Sequence, residues 1–87
     1  MAKPLSPLHQ AFGRAIRQLR DEQDLSQEAL GQKSGLHRNY IGGIERGERN
    51  PTLTNISKIA RTLGIEPSKL LALTEKLEPR RRTAKRS

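Results

Sequence analysis

The sequence predicts an all-α fold of five short helices around one aliphatic core, and three observations lead there. Leu8, Phe12, Ala15, Ile16 and Leu19 recur at i, i+4, i+7, i+8 and i+11, and Leu53, Ile56, Ile59, Ala60 and Leu63 repeat a helical spacing further along. Between them, Leu25 to Asn50 reads as two short helices joined by a tight glycine-containing turn and followed by a basic loop. Finally, the 87 residues include no cysteine and only two aromatics, Phe12 and Tyr40. One domain with a small aliphatic core is expected, without a disulfide framework, a thiolate metal site or a cysteine nucleophile.

Residues 1–7 carry two prolines and no apolar period, so a loose N-terminal arm is expected there. The first helix runs from Leu8 to about Gln23, with Arg14, Arg17 and Gln18 off its apolar stripe. Asp21, Glu22 and Asp24 follow as a solvated turn. Ser26 caps the second helix, Leu25 fixes its entry, Leu30 points inward and Gly35 ends the run. Arg38 to Arg46 forms the third helix, which Gly47 terminates. Thr52 caps the fourth, whose stripe from Leu53 to Leu63 is the strongest core signal, and Gly64 stops it. A fifth helix starts near Pro67 with Leu70, Leu71, Leu73 and Leu77 as apolar positions. Four leucines in eight residues exceed what a short lid must bury, so either they close over the core or the surplus forms a dimer contact. The domain thus spans residues 8–78, and the Arg-rich stretch 79–87 is expected to be disordered.

The net charge of +8 favours a polyanionic partner. Five of the positive charges, Arg80, Arg81, Arg82, Lys85 and Arg86, sit in the last nine residues with no negative charge, so residues 1–78 hold only +3. Two aromatics are too few for a base-stacking platform on single strands. No stretch has the roughly 20 apolar residues of a membrane span, and the start lacks the apolar run of a signal peptide, so a cytoplasmic protein is expected. His9 and His37 are the only histidines and lie on separate elements, with no zinc-protease signature, phosphate loop or nucleophile elbow. No catalytic residue, metal site or cofactor is expected.

In the third helix, Ile41 and Ile44 share a face with Tyr40 beside it, while Asn39, Gly42, Gly43 and Arg46 project to roughly the opposite side. That face is expected to be open for reading. Glu45 lies near the edge of the buried face, where it needs a partner.

The strings LSQEAL, GLHRNYI and IERGERNP, in this order and spacing, resemble the Cro/CI-type (XRE family) helix-turn-helix regulators over about Phe12 to Leu71. Within that family the chain is similar to the small controller proteins of restriction-modification systems. The resemblance implies a compact five-helix, lambda-repressor-like DNA-binding domain with a disordered basic tail. It places Gln27 on a phosphate at the start of the second helix, where exposed amides also favour an anion. It places Arg38 and Asn39 at the start of the recognition helix, where Arg can read guanine and Asn adenine in the major groove. Arg38 as a solvated cation or phosphate clamp is the alternative. Tyr40 packs on the core edge, offers its hydroxyl to a phosphate, or both. Arg46, Arg49 and Asn50 match positions near the backbone and flanking bases, although Arg46 could equally be solvated. The resemblance also pairs Arg20 with Glu45.

Two features depart from the family. His37 stands at the cap of the recognition helix, where Ser, Thr or Asp would hold the amides better, so a loose helix start is expected. Gly42 and Gly43 lack side chains where relatives touch DNA, and each costs about 1 kcal/mol against Ala in a helix. Their bareness is expected to let the helix sit close to the groove floor.

The function implied is a sequence-specific regulator, an activator or a repressor, binding double-stranded DNA as a homodimer on a pseudo-palindrome, as a bacterial nucleoid-associated protein. RNA polymerase or a toxin are possible further partners. An antitoxin, acting on its toxin through the Leu-rich fifth helix, or a coactivator-type interaction module is the alternative.

Overall fold

Four of the five helices begin on a side-chain acceptor in the computed structural model, which describes residues 3–79. Ser6 Oγ accepts from the His9 amide to start α1 (Pro7–Glu22), and Ser26 Oγ accepts from Ala29 to start α2 (Gln27–Ser34). His37 Nδ1 accepts from the Asn39 amide at 2.9 Å to start α3 (Arg38–Glu45), and Thr52 Oγ1 accepts from Asn55 to start α4 (Leu53–Thr62). A cap of this kind stabilises its helix by about 1 kcal/mol. Only α5 (Pro67–Leu77) lacks one, and there Pro67 supplies the preset first-turn geometry. The start of α3 is therefore not loose: the imidazole takes the role of a hydroxyl.

The N-terminal side is also more ordered than expected. Pro7 belongs to α1, and the Leu5 amide donates to the Gly47 carbonyl at 2.8 Å. Leu5 is thus tied to the turn that ends α3, and α1 starts at Pro7 because Ser-Pro is itself a helix-start signature. Pro79 follows α5, and the expected disordered stretch otherwise falls on residues 80–87, outside the described residues.

Phe12, Ala15 and Ile16 from α1, Leu30 from α2, Ile41 and Ile44 from α3, Ile59, Ala60 and Leu63 from the α4 end and Leu70 from α5 form one core. The first helix lies along α5 and α3, while α2 packs on α3 and α4. Two stripe positions stay outside. Leu8 is 47% exposed and Leu53 78% exposed, because both stand on the first turn of their helices, beyond the layer that the neighbours cover. Among the leucines of α5, Leu70 is fully buried and Leu73 and Leu77 pack against the core, so only Leu71 keeps substantial exposure. Of the two expectations for this helix, closing over the core accounts for Leu70, Leu73 and Leu77, and leaves Leu71 as the exposed surplus.

Glycine matters most at two places. Gly35 closes α2 with φ +79°, the left-handed conformation that ends a helix cheaply only without a Cβ. Gly13 is helical, but a Cβ there would collide with the Ile44 and Glu45 carbonyl oxygens. The backbone of α1 therefore touches the last turn of α3 directly, and the recognition helix is seated against main chain.

Candidate nucleic-acid interface

The interface is built outward from one carboxylate. Glu45, with its side chain only 6% exposed, accepts two hydrogen bonds from Arg20, from Nε at 2.7 Å to Oε2 and from Nη2 at 2.9 Å to Oε1. Arg20 Nη1 also donates to the Leu25 carbonyl at 2.9 Å, so one guanidinium ties α1 to the entry of α2 and the end of α3. The hydrogen bond to Glu45 raises the Arg20 pKa above its already high ordinary value. A bidentate, charge-assisted pair of this kind is geometrically specific as well as strong.

Gln27 completes the cluster. Its Nε2 donates to Glu45 Oε1 at 3.0 Å, so the side chain expected on a phosphate is engaged within the protein. Arg20 still satisfies both Glu45 oxygens when Gln27 turns away. The second Nε2 hydrogen and the first amides of α2 remain outside this network; Ser26 caps only the Ala29 amide.

The open face expected on α3 is exposed at Asn39 and Arg46 but covered at its two glycines. Gly42 and Gly43 are both buried. Arg46 Nη1 and Gln27 Oε1 lie 3.2 and 3.4 Å from where a Gly42 Cβ would stand. Arg49 Cγ lies 2.8 Å, and Arg49 Nε 3.2 Å, from the corresponding point on Gly43. The missing side chains therefore accommodate the protein's own side chains and do not bare the helix for the groove floor. Arg49 crosses the helix over Gly43 and sets its guanidinium 6.0 Å from the Tyr40 ring centroid, within cation–π range. Arg49 is nevertheless exposed, and its side chain makes no hydrogen bond among the described residues.

Tyr40 is half-buried against the core, and its hydroxyl accepts from Asn55 Nδ2 at 3.1 Å while keeping a proton to donate. Arg46 is exposed and its Nε donates to Glu48 at 3.1 Å, so it is already paired. Arg38 is exposed, with only a 3.8 Å contact to the equally exposed Glu28, a pair of small energetic consequence. Asn39 is exposed beside it, and its backbone amide is used by the His37 cap. Asn50 is held from across the sequence, by His9 Nε2 at 3.2 Å to Oδ1. Thus Arg38, Asn39, Arg46, Arg49 and Asn50 are all exposed around α3, Arg46 and Asn50 with a side-chain hydrogen-bond partner, whereas Gln27 and Tyr40 are half-buried with internal partners.

Sequence reasoning missed His9, Gly13 and Asn55. Ser6, two residues before the first apolar position, was a legible cap signal for α1; the partners of His9 and Asn55 lie 41 and 15 residues away and gave none. Among the described residues no helix is long and apolar enough to cross a membrane, and no group of three His, Cys, Asp or Glu could hold a metal ion.

The helix-turn-helix family profile matches residues 16–70, from the middle of α1 to the start of α5. The control protein C.BamHI of Bacillus amyloliquefaciens is 48% identical over 64 residues, covering 72% of this chain and 79% of that protein. The control protein C.MunI of a Mycoplasma species is 44% identical over 66 residues, covering 75% and 89%. The crystal structure of the restriction-modification controller protein C.AhdI from Aeromonas hydrophila superimposes with a TM-score of 0.70 at 52% identity, covering 71% of this chain and 94% of that one. Matched family, five-helix architecture and outward polar groups around α3 lead to one conclusion: the chain belongs to the XRE-type helix-turn-helix family and is a DNA-binding transcriptional regulator.

Proposed function

We propose that the protein is a restriction-modification controller that binds a pseudo-palindromic operator in duplex DNA as a homodimer. The observation that carries this reading is the division of labour around α3. Arg20 and Glu45 are consumed by architecture, whereas Arg38, Asn39 and Arg49 stand exposed with most of their hydrogen-bonding capacity unused inside the protein. Arg38 and Arg49 supply donors for guanine or phosphate, and Asn39 can read adenine. Gln27 acts as a latch, leaving Glu45 for a phosphate when DNA arrives, because Arg20 keeps the carboxylate paired. Gly42 and Gly43 contribute space, and His37 contributes the cap that fixes the start of the reading helix.

The dimer reading rests on apolar surface outside the core. Leu53 on the first turn of α4 and Leu71 on α5 are large apolar side chains left exposed. Two copies joined through this surface would present recognition helices about 34 Å apart, one turn of the duplex. Leu71→Glu should shift the dimer to monomers in sedimentation and reduce operator affinity, with helical content unchanged. The antitoxin reading has less support, since three of the four α5 leucines pack in or against the core; a coactivator would instead bind DNA without a consensus. The protein would act in the cytoplasm at the nucleoid.

Selection from random duplex DNA with the purified full chain tests the function. Two-fold related half-sites, protected again in footprints of the DNA upstream of its own gene, are expected. Recovery of no consensus would overturn the reading.

A further inference from the structure

We infer that His9, on the first helix and outside the helix-turn-helix, is a specificity-determining positioning residue that makes Asn50 a hydrogen-bond donor to DNA. The inference rests on the proposed operator binding. It begins with a chain of three side chains from different parts of the sequence. Ser6 Oγ lies 2.7 Å from His9 Nδ1, and His9 Nε2 lies 3.2 Å from Asn50 Oδ1.

The proton positions follow from satisfying each group. Ser6 Oγ already accepts the His9 backbone N–H at the helix cap, so its own hydroxyl proton is available to His9 Nδ1. With Nδ1 accepting, the ring proton sits on Nε2, and that N–H donates to Asn50 Oδ1. The opposite arrangement would turn the Asn50 amide over and leave the Ser6 hydroxyl proton without a partner in the chain. The tautomer is thus assigned from the network, as it must be for any histidine without visible hydrogens.

The consequence lies at the far end of the relay. A side-chain amide that reads adenine in two-pronged fashion uses its oxygen toward N6 and its nitrogen toward N7. Asn50 has its oxygen turned toward His9, so its NH2 group is what remains for a ligand. Such a group selects acceptors: a phosphate oxygen, guanine O6 or N7, adenine N7 or thymine O4. It cannot take the hydrogen offered by adenine N6 or cytosine N4. Asn39, whose side chain makes no hydrogen bond among the described residues, keeps both functions. The two asparagines, Asn39 in the first turn of α3 and Asn50 in the loop beyond it, therefore differ in chemistry although they are the same residue.

His9 reaches this position because α1 and the loop after α3 are held together independently. The Leu5 amide binds the Gly47 carbonyl, and the Gln10 side chain and backbone lie against Gly47. Removing the imidazole nitrogens leaves those contacts in place, so the relay can be cut without releasing the loop.

The test is a double-mutant cycle on affinity for the operator recovered by selection, read by fluorescence anisotropy. His9→Phe keeps the ring and removes both nitrogens. It should weaken binding by about tenfold, the loss of roughly one positioned hydrogen bond. His9→Gln carries an amide nitrogen at the same distance along the side chain as Nε2 and should restore affinity to within about threefold of the parent. In an Asn50→Ala background, His9→Phe should have no further effect. Thermal melting accompanies each variant. Equal weakening by His9→Phe in both backgrounds would overturn the inference, as would an unchanged affinity of His9→Phe or of Asn50→Ala. Those outcomes leave the functional reading standing, which fails only if the parent protein selects no operator at all.

Discussion

Replacing Gly43 by alanine should separate stability from recognition. A helical glycine is worth about 1 kcal/mol less than alanine, so the substitution should stabilise α3 if nothing stood in the way. Arg49 does stand in the way: its Cγ would lie 2.8 Å and its Nε 3.2 Å from the new Cβ, both inside contact distance. Because Arg49 is exposed, it can swing into solvent, giving up a cation–π interaction worth roughly 0.5–1 kcal/mol. The two terms nearly cancel or leave a small gain, so the melting temperature should stay level or rise by a few degrees, about 4–8 °C per kcal/mol in a domain of this size. DNA recognition should move the other way. If the displaced Arg49 reads a guanine, the protein forfeits one bidentate hydrogen-bond pair worth about 1–3 kcal/mol, roughly 5- to 150-fold in discrimination at one base pair. The assay is competition binding between the operator and single-base variants, paired with thermal denaturation, for Gly43→Ala, Arg49→Ala and the double variant. The double variant should match Arg49→Ala in selectivity and melt a few degrees higher, since nothing of Arg49 then opposes the new Cβ. Selectivity kept by Gly43→Ala but abolished by Arg49→Ala would refute the idea that the glycine holds space for the arginine.

Arg20→Ala should lower stability to urea by about 3–5 kcal/mol, because it strands a carboxylate that is 6% exposed. The paired arginine's raised pKa contributes stability that is complete below its unfolded value and lost only as pH rises through the folded one, beyond the usual alkaline range. Titration of Arg20 should therefore leave stability flat with pH between about 6 and 9, a window far below any arginine pKa, as urea midpoints across that range would show. Gly13→Ala should destabilise more than a typical helical Gly→Ala change and reduce operator affinity with it, since α1 would be pushed off the end of α3; melting and anisotropy on the same sample check both. Removing residues 79–87 deletes five positive charges and should weaken binding to every sequence alike, with the log–log salt slope falling by about 0.9 for each phosphate that is no longer neutralised.

What the sequence made legible was mostly local. Ser26, Thr52 and Pro67 announce helix starts because a cap acts on amides two or three residues away, and Gly35 announces a stop for the same reason. Leu30, Ile41, Ile44 and Ile59 read as core from their spacing and are core. The illegible part depended on where helices lie relative to each other. Nothing local says that α1 covers Leu70, Leu73 and Leu77 while Leu8 and Leu53 stand clear. The covering of Gly42 and Gly43 was hidden likewise, because it comes from the long side chains of Gln27, Arg46 and Arg49, whose direction periodicity does not give. The Arg20–Glu45 geometry was accessible through family resemblance and not through spacing, since its partners lie 25 residues apart.

The close approach at Gly13 has a consequence for how such a protein changes its target over time. Where two helices meet through side chains, a new residue on either one can tilt the joint, and every altered reading residue risks a new docking angle. Here the joint is backbone against backbone. Arg38, Asn39 and Arg49 all lie outside it, so they can be exchanged while the pose of the helix on the duplex is inherited unchanged. On the proposed mode of binding, lineages carrying this joint can diverge in operator sequence by single substitutions, and the same property makes the domain a scaffold on which new specificities can be selected.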